Sequence, residues 1–414
     1  MKILLLVDSY PPHHGSGYEL RRKDVVNGST SRGRNIHIIT TRCTNDHCGL
    51  HPNEGPVDRI LHRKSQASSL LVQILRDFSD MWFIDHTTRS FKPDLVYLWH
   101  LGDLSNAIIP YFASSKIPMV YDEGGKGLIA TARILKRGLY FFKNENDSSL
   151  KKWAKKTINT LVDFLSGKRI CTNATWPDEM KIIFNSQHSL DYAQQNGVPV
   201  QNAKVIYSGI DVGEFQYLPR NGLDGRVKFL VPGRITPIKG TKDALSLFDK
   251  LNEAGIPSHL TIIGRDFSNT YFDEIQQVVE QMDHHDISLL PMTSQEELAN
   301  LYQTHDICFF PSHQENGLSR VPLEAMACGC LVLSYGNEAS NEVITNGING
   351  FIISEGDISE AVKIIKSLLN DPEQVKQITQ YAHETIQQYF TLERYIRSVE
   401  LFLKKSAPVL TDHI

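Results

Sequence analysis

The stretch that most limits how this chain can fold runs from residue 307 to residue 336. An apolar run, ICFF, leads into a polar stretch with two glutamates, Glu315 and Glu324, and a helix is expected to begin near Val321 and end at Gly329. A second apolar run, LVL, follows. A carboxylate accepts two hydrogen bonds from a polyol, and helix N-terminal amides bind phosphate oxygens. The stretch therefore predicts a nucleotide or sugar-phosphate ligand.

The rest of the chain alternates apolar runs with helical segments, which predicts an α/β fold with parallel sheets. Residues 2–8 read as a central strand buried on both faces, followed by a turn with Gly15 and Gly17, a helix and a second strand. A second α/β pattern begins with a strand at 227–231, after a segment at 197–202 that has the character of a hinge. Because 414 residues exceed one core, two Rossmann-like halves are expected.

Composition excludes several classes of protein. The formal net charge of −4 argues against a globally basic nucleic-acid binder, so no nucleic-acid partner is expected. No apolar run reaches the ~20 residues that span a bilayer, and the first run is too short for a signal sequence. Six scattered cysteines favour a reducing compartment, so we expect a cytoplasmic protein. Cys43, Cys48 and His51 match no standard zinc pattern, and no metal is expected.

Two further loops carry groups suited to a phosphorylated ligand. Arg234 and Lys239 lie on one strand-to-helix loop between two glycines, where arginine can bind a diphosphate through two hydrogen bonds and lysine adds a point charge. Ser208 and Gly209 form a tight turn after a strand, and could also face a ligand. No Walker loop, HExxH, GxSxG or paired CxxC motif is present to suggest another chemistry.

Polar residues also follow two strands of the first half. His100 is well placed for a site at a strand end, although a lone histidine is more often structural. Asp122 and Glu123 open an acidic, glycine-rich loop whose alternative reading is a solvated turn. Farther on, residues 133–156 mix basic and aromatic side chains, which suits docking on anionic lipid headgroups. Alternatively, the apolar side chains pack on the domain and the lysines are only solvated.

Five segments, in the right order, resemble the retaining GT-B glycosyltransferases of family 4, also called glycosyl transferases group 1. These segments are SYPPHHGSGYE, YSGID, GRITPIKG, PSHQENGLSRVPLEAMACG and SNEVITNGINGFII. The resemblance implies two Rossmann-like domains whose parallel sheets face each other across a cleft. The expected boundaries are an acceptor domain at 1–198 and a donor domain at 199–389, with a last helix at 390–414 packing back on the first domain.

The resemblance also implies roles for individual residues. Glu324 would bind the ribose of a nucleotide, and Glu315 the hydroxyls of the donor sugar. Arg234 and Lys239 would hold the diphosphate and stabilise it as it leaves. Backbone groups would approach the donor at Gly15, Gly17, Gly317, Leu318 and Ser319.

The chain departs from the family pattern in two places. Glu315 and Glu324 are separated by eight residues rather than seven, so either Glu315 reaches the sugar through a bulge or Asn316 takes its place, and we favour Glu315. The strand ending MVYDEGG lacks a histidine that many relatives have there. Asp122, Glu123 and His100 are therefore the candidates for the group on the acceptor side, and Asp122 is also assigned to the residues that bind the substrate or donor.

The expected activity is retaining transfer of a hexose-type sugar from a nucleotide-sugar to a glycan, lipid-linked or small-molecule acceptor, as in surface polysaccharide or glycoconjugate biosynthesis. No cofactor or metal is expected, because two cations and a helix dipole would replace the metal. The nucleotide base, the sugar and the acceptor stay open. A nucleotide-sugar epimerase of the same fold and a non-catalytic nucleotide-sugar-binding protein are the alternatives.

Overall fold

The computed structural model describes most of the chain. The described residues are 1–11, 17–42, 57–66, 69–137, 176–223, 225–264, 270–282, 286–313, 317–337 and 339–408, with the isolated positions 149, 153, 157, 160 and 163. They form two compact units. The first is Met1–Ile206 together with Ile396–Ile414, and the second is Tyr207–Tyr395.

The first unit is built on a seven-stranded sheet in which all neighbouring strands are parallel. In spatial order the strands are β3-β2-β1-β4-β5-β6-β7. Their bounds are Lys2–Val7 (β1), Asn35–Thr41 (β2), Val57–Leu61 (β3), Leu95–Trp99 (β4), Met119–Glu123 (β5), Lys181–Phe184 (β6) and Ala203–Val205 (β7). The helices are Gly17–Ser31 (α1), Leu70–Phe91 (α2), Ile108–Ser115 (α3), Gly127–Arg137 (α4) and Gln187–Gln195 (α5), with a 3-10 turn at Lys64–Gln66.

The second unit repeats this plan with six parallel strands in the order β10-β9-β8-β11-β12-β13. The strands are Val227–Pro232 (β8), Ser258–Ile263 (β9), Ile287–Leu290 (β10), Ile307–Phe310 (β11), Leu331–Ser334 (β12) and Phe351–Ile352 (β13). The helices are Thr241–Glu253 (α6), Thr270–Gln281 (α7), Gln295–Thr304 (α8), Arg320–Ala327 (α9), Ile358–Leu369 (α10), Pro372–Tyr389 (α11) and Leu392–Ser406 (α12). Two 3-10 turns, Pro237–Lys239 and Ser340–Glu342, complete it.

The strands form where the apolar runs predict them, because a central parallel strand is covered on both faces. Every residue of β4 and β11 is buried, and five of the six residues of β1 are buried. A polar cap fixes the start of α8, where the side chains of Ser294 and Glu297 form a capping box. The prediction of two α/β halves with parallel sheets is confirmed.

The unit boundaries differ slightly from those expected at residues 198 and 390. The first unit extends to Ile206 because β7 pairs with β6. The second extends to Tyr395 because the chain at Thr391 bridges to Ile210. The part of α12 from Ile396 belongs to the first unit, where the side chain of Ile396 occupies the space that a Cβ at Gly28 would need.

Candidate functional site

A loop with two cations, Arg234 and Lys239, follows β8 in the second unit; this cation loop comprises residues 233–240. Gly240 makes its turn possible: its φ is +70°, and a Cβ there would lie 2.0 Å from the carbonyl oxygen of Pro311. Only glycine tolerates both conditions. The turn brings Lys239 beside the loop after β11, where its Nζ lies 3.5 Å from Ser312 Oγ and 5.6 Å from the centroid of the Phe310 ring.

This loop forms one wall of a small open pocket, the cation pocket. Arg234 and Lys239 both line it, so the structure brings together the two cations that the sequence predicted to share a ligand. The remaining lining residues lie at the ends of β8, β9 and β11, in the loop itself and at the start of α6, and are Val231, Pro232, Gly233, Ile235, Thr241, Ile262, Phe309, Phe310 and Pro311. A guanidinium and an ammonium that line a partly apolar pocket suit a phosphorylated ligand.

Sequence reasoning missed one glycine that shapes this loop. A Cβ at Gly264, just after β9, would lie 1.6 Å from the carbonyl oxygen of Gly233. The backbone of the cation loop therefore packs directly on the end of the neighbouring strand. The signal in the sequence was a glycine that ends an apolar run, at the same carboxyl edge of the sheet as Gly233.

Glu324 lies in α9 and is held from two sides. Tyr302 donates its hydroxyl proton to Glu324 Oε2 at 3.1 Å, and Arg320 donates from Nε to Glu324 Oε1 at 3.0 Å. Burial and the charge of Glu324 raise the pKa of Tyr302 well above its usual value, so the phenol stays a donor. The Glu324 side chain is 5% exposed. Each carboxylate oxygen has a second lone pair that could accept a hydrogen bond from a ligand hydroxyl. Because the side chain is buried, such a hydroxyl could reach only the edge of the carboxylate. Sequence reasoning missed Tyr302 and Arg320.

The other residues of this predicted segment have different outcomes. Leu318 is buried among the core residues. Ser319 caps the N-terminus of α9 without a hydrogen bond from its side chain, and Gly317, two residues earlier, is buried. Glu315 and Asn316 lie outside the described residues, as does Gly15, while Gly17 is the first residue of α1.

The turn at Ser208 and Gly209 has a packing function in the structure. Ser208 is 2% exposed, and a Cβ at Gly209 would lie 2.3 Å from the carbonyl oxygen of Thr391. The amide of Ile210 donates to the Phe390 carbonyl at 2.8 Å. These contacts explain the glycine by the close approach of two chain segments, whereas the sequence had predicted a donor contact.

In the first unit, His100 follows β4 with a left-handed backbone, φ +47°. Few residues other than glycine adopt this conformation, and where it occurs it often marks a functional position. A Cβ at Gly102, Gly125 or Gly127 would lie 3.2–3.4 Å from the imidazole ring, so three glycines leave room for it. The ring Nδ1 lies 3.6 Å from Glu123 Oε1.

Glu123, at the end of β5, also organises the helix that follows. Its two carboxylate oxygens accept hydrogen bonds from the amides of Gly125 and Leu128, at 2.6 Å and 2.5 Å. Burial alone would lower the pKa of His100, but the nearby carboxylate of Glu123 raises it above its usual value. The structure therefore brings together two of the three candidates for the acceptor-side group, His100 and Glu123, at one sheet edge.

Asp122, which the sequence placed in the donor site, has a structural role instead. It is fully buried, and its oxygens accept hydrogen bonds from Arg21 at 2.7 Å and from the Tyr97 hydroxyl at 2.6 Å. Burial raises the pKa of Asp122, and Arg21 opposes that shift. The guanidinium of Arg21 also lies 5.0 Å from the centroid of the Trp99 ring. No surface of Asp122 is left for a ligand.

Sequence reasoning also missed an ion pair at the end of β1. Arg22, 1% exposed, contacts Asp8 Oδ1 at 2.8 Å and donates to the backbone carbonyl of Ser9. The only signal was two adjacent arginines in a helix that otherwise reads as polar. Both arginine side chains point into the first unit, where they pair with acidic residues at strand ends: Arg21 with Asp122 and Arg22 with Asp8.

Within the described ranges, no group of three or more histidine, cysteine, aspartate or glutamate side chains could hold a metal ion. No helix in the same part of the chain is both long and apolar enough to cross a bilayer. Cys43, Cys48 and His51 lie outside the described residues, as does most of 133–156; Arg133 donates to Asn196 Oδ1 at 2.7 Å.

Comparison with known proteins adds the family context. Residues 217–385 match the family model "Glycosyl transferases group 1". Glycogen synthase of Mycobacterium tuberculosis is 22% identical over 293 residues, which cover 69% of this chain and 62% of that protein. The capsular polysaccharide biosynthesis glycosyltransferase CapM of Staphylococcus aureus is 23% identical over 221 residues, covering 52% of this chain and 56% of CapM. The chain thus spans roughly three-fifths of these relatives.

Among solved structures, Anabaena HepE in complex with UDP superposes with a TM-score of 0.67 at 19% identity, covering 98% of this chain and 100% of that one. At this level of identity the likeness shows the fold. The chain therefore has the GT-B fold of two parallel-sheet α/β units, and over residues 217–385 it carries the sequence pattern of the group 1 glycosyl transferases.

Proposed function

We propose that this protein is a glycosyltransferase that moves a sugar from a nucleotide-sugar to a glycan, lipid-linked or small-molecule acceptor, in polysaccharide or glycoconjugate biosynthesis. The observation that carries the proposal is the pocket that Arg234 and Lys239 share. It lies within the segment that matches the group 1 family model, at the carboxyl edge of a parallel sheet, where ligands of this fold class bind.

The chemistry asked of the pocket is stabilisation of a leaving group. When the bond between the sugar C1 and the diphosphate oxygen breaks, negative charge grows on the diphosphate. Arg234 can meet that charge with two parallel hydrogen bonds, and Lys239 with a compact ammonium. Such fixed charges, already in place before the reaction, lower its barrier. The acceptor oxygen bonds C1 and its proton passes to a base; transfer with retention of the anomeric configuration is part of the proposal.

Other groups would complete the reaction. Glu324 would accept a hydrogen bond from the ribose through the lone pairs that Tyr302 and Arg320 leave available. On the acceptor side, we propose that His100, which lies beside Glu123, accepts the proton of the acceptor hydroxyl. The predicted roles of Glu315, Asn316, Gly15 and Gly17 stay part of the proposal, as do the absence of a cofactor and a cytoplasmic location. Residues 133–156 stay a candidate for membrane contact, with packing of their apolar side chains on the domain as the alternative.

UDP is the first nucleotide to test, since HepE was solved with UDP. Calorimetry would compare UDP, GDP and ADP with the wild type, with Arg234→Ala and with Arg226→Ala. Arg226 is the matched control, because it pairs with Asp286 at the opposite, amino end of β8. Loss of charge-assisted hydrogen bonds in Arg234→Ala should weaken binding by about 10- to 100-fold, and Arg226→Ala should bind as the wild type does.

Equal binding by Arg234→Ala and the wild type would overturn the assignment of the pocket. A second assay, slow hydrolysis of a panel of nucleotide-sugars, would identify the donor. Conversion of one nucleotide-sugar into an isomeric nucleotide-sugar without any acceptor would instead indicate an epimerase. Binding without any turnover would indicate a non-catalytic protein.

A further inference from the structure

His313, in the loop after β11, lies between two carboxylates from distant parts of the second unit. Its Nε2 is 2.7 Å from Asp243 Oδ2, in α6, and its Nδ1 is 2.6 Å from Glu355 Oε1, after β13. Its backbone amide donates to the Ile238 carbonyl at 2.9 Å. Since Ile238 lies inside the 3-10 turn that ends at Lys239, one residue ties together three segments of the unit.

The two contacts favour the imidazolium form of His313. An ionised carboxylate oxygen can only accept a hydrogen bond, whereas a neutral imidazole has one donor nitrogen and one acceptor nitrogen. The contact at Nδ1 is a hydrogen bond to Glu355, and Nε2 lies within ion-pair distance of Asp243. A ring with a proton on both nitrogens suits both carboxylates. A neutral ring would place a lone pair against one of the two carboxylates.

Neighbouring groups hold the two carboxylates in place. Tyr335 donates its hydroxyl proton to Asp243 Oδ2 at 2.9 Å, and its ring centroid lies 5.5 Å from that of His313. Asn337 donates to Glu355 Oε2 at 2.9 Å and to the Ser312 carbonyl at 3.0 Å. Ser312 is the residue whose hydroxyl faces Lys239 Nζ. The network around His313 thus reaches the wall of the cation pocket.

We propose that His313 is a positioning residue: its imidazolium clamps residues 311–313 against the cation loop and makes the pocket's affinity for a nucleoside diphosphate depend on pH. The proposal rests on the proposed function, in that the pocket binds a diphosphate. The titratable groups that face His313 are Asp243, Glu355 and Tyr335, and Lys239 adjoins the residue that accepts its amide proton.

The direction of the pH effect follows from the charges. Partial burial lowers the pKa of His313, but the hydrogen bond to Glu355 and the charge of Asp243 raise it further than burial lowers it. The pKa of Glu355 is lowered in turn by the same contact. Because the folded-state pKa of His313 is raised, the clamp is complete at low pH and is lost as pH rises through that value.

The test compares UDP binding at pH values between 6 and 9 for the wild type and three variants. His313→Gln has no charge and can donate to only one carboxylate. His313→Lys keeps a positive charge and donors over the whole range. His259→Gln is the matched control, since His259 is the second residue of β9, at the opposite, amino edge of the same sheet. Using the ratio of each variant's Kd to the wild-type Kd removes the titration of UDP itself.

At pH 6, His313→Gln should bind UDP about tenfold more weakly than the wild type, within the ~10²-fold that displacement of a positioned group can cost. The ratio should approach one at pH 9, where the wild type has lost the clamp. His313→Lys keeps its charge, so it should match the wild type at pH 6 and bind about tenfold more tightly than the wild type at pH 9. His259→Gln should follow the wild type. A constant ratio for His313→Gln across the range would overturn the proposal.

A second readout separates failure of the clamp from failure of the proposed function. NMR of histidine-labelled protein, with the His313 signal assigned from His313→Gln, gives the pKa of His313 without any ligand. A value above that of an exposed histidine supports the clamp, and a value at or below it overturns the clamp whatever UDP does. Absence of UDP binding by the wild type at every pH would count against the proposed function, while this titration would still decide the protonation of His313.

Discussion

The exchange of Asp122 for asparagine tests whether this residue is structural, as the structure places it, or a donor ligand, as the sequence indicated. The substitution keeps the shape of the side chain but removes its charge. Arg21, 3% exposed, would then be a buried guanidinium without its compensating carboxylate at 2.7 Å. Removing one partner of a buried ion pair costs about 3–5 kcal/mol, because the remaining charge stays desolvated.

That cost should be visible in the unfolding of the first unit. For a unit of this size each kcal/mol shifts Tm by about 2–4 °C, so Asp122→Asn should lower it by about 6–20 °C. Circular dichroism during thermal unfolding provides the measurement. The double variant Arg21→Met with Asp122→Leu removes both charges and should be more stable than Asp122→Asn, since an apolar pair of similar volume needs no compensation.

Binding of UDP to the folded variant provides the counter-test. The cation pocket belongs to the second unit, so Asp122→Asn should bind UDP as the wild type does at temperatures where it is folded. An unchanged Tm together with a weakened affinity for UDP or a UDP-sugar would refute the structural role and restore the donor role. An unchanged Tm alone would already show that the Arg21 charge is compensated elsewhere.

Two further predictions follow from the same geometry. Gly240→Ala should destabilise the second unit by more than the about 1–2 kcal/mol that a left-handed backbone costs alanine, because its Cβ would lie 2.0 Å from the Pro311 carbonyl oxygen. Gly255→Ala is the control, since Gly255 has φ +71° and its Cβ would have nothing within 4 Å. Equal unfolding midpoints of the two variants in denaturant would contradict the clash. Glu123→Gln should lower the pKa of His100, measured by NMR, because the carboxylate raises it. The stability that the wild type gains from this contact is present at low pH and disappears as pH rises through the His100 pKa, so the loss on substitution should be larger at pH 5 than at pH 9, and a pH-independent loss would speak against the ion pair.

Much of the fold could be predicted from the sequence, because its signals are local. Apolar runs such as the one in β1 and the one in β11 are too continuous for a sheet with an exposed face, and the helices between them force parallel pairing. The cation loop was predictable for the same reason. Arg234 and Lys239 are five positions apart between two glycines, so no distant part of the chain was needed to bring them together.

The candidate site was harder to predict wherever its contacts cross the chain. Asp122 and Glu123 are adjacent and equally acidic, yet successive side chains of a strand point to opposite faces. Asp122 therefore enters the core to meet Arg21, while Glu123 turns to the edge of the sheet, where it caps α4 and meets His100. Composition and spacing do not reveal which of the two pairs with Arg21 and which lies beside His100.

The sequence by itself determined that this chain is two parallel α/β units and that a pair of cations lies at one strand end, since periodicity and loop chemistry are properties of short segments. Only the tertiary structure decided which polar residues are buried partners and which stay available. In the folded protein Asp122 pairs with Arg21, Tyr302 and Arg320 donate hydrogen bonds to Glu324, and His313 lies between Asp243 and Glu355. The physical reason is that these partners come from separate strands and helices, and their distances exist only once the sheets have formed.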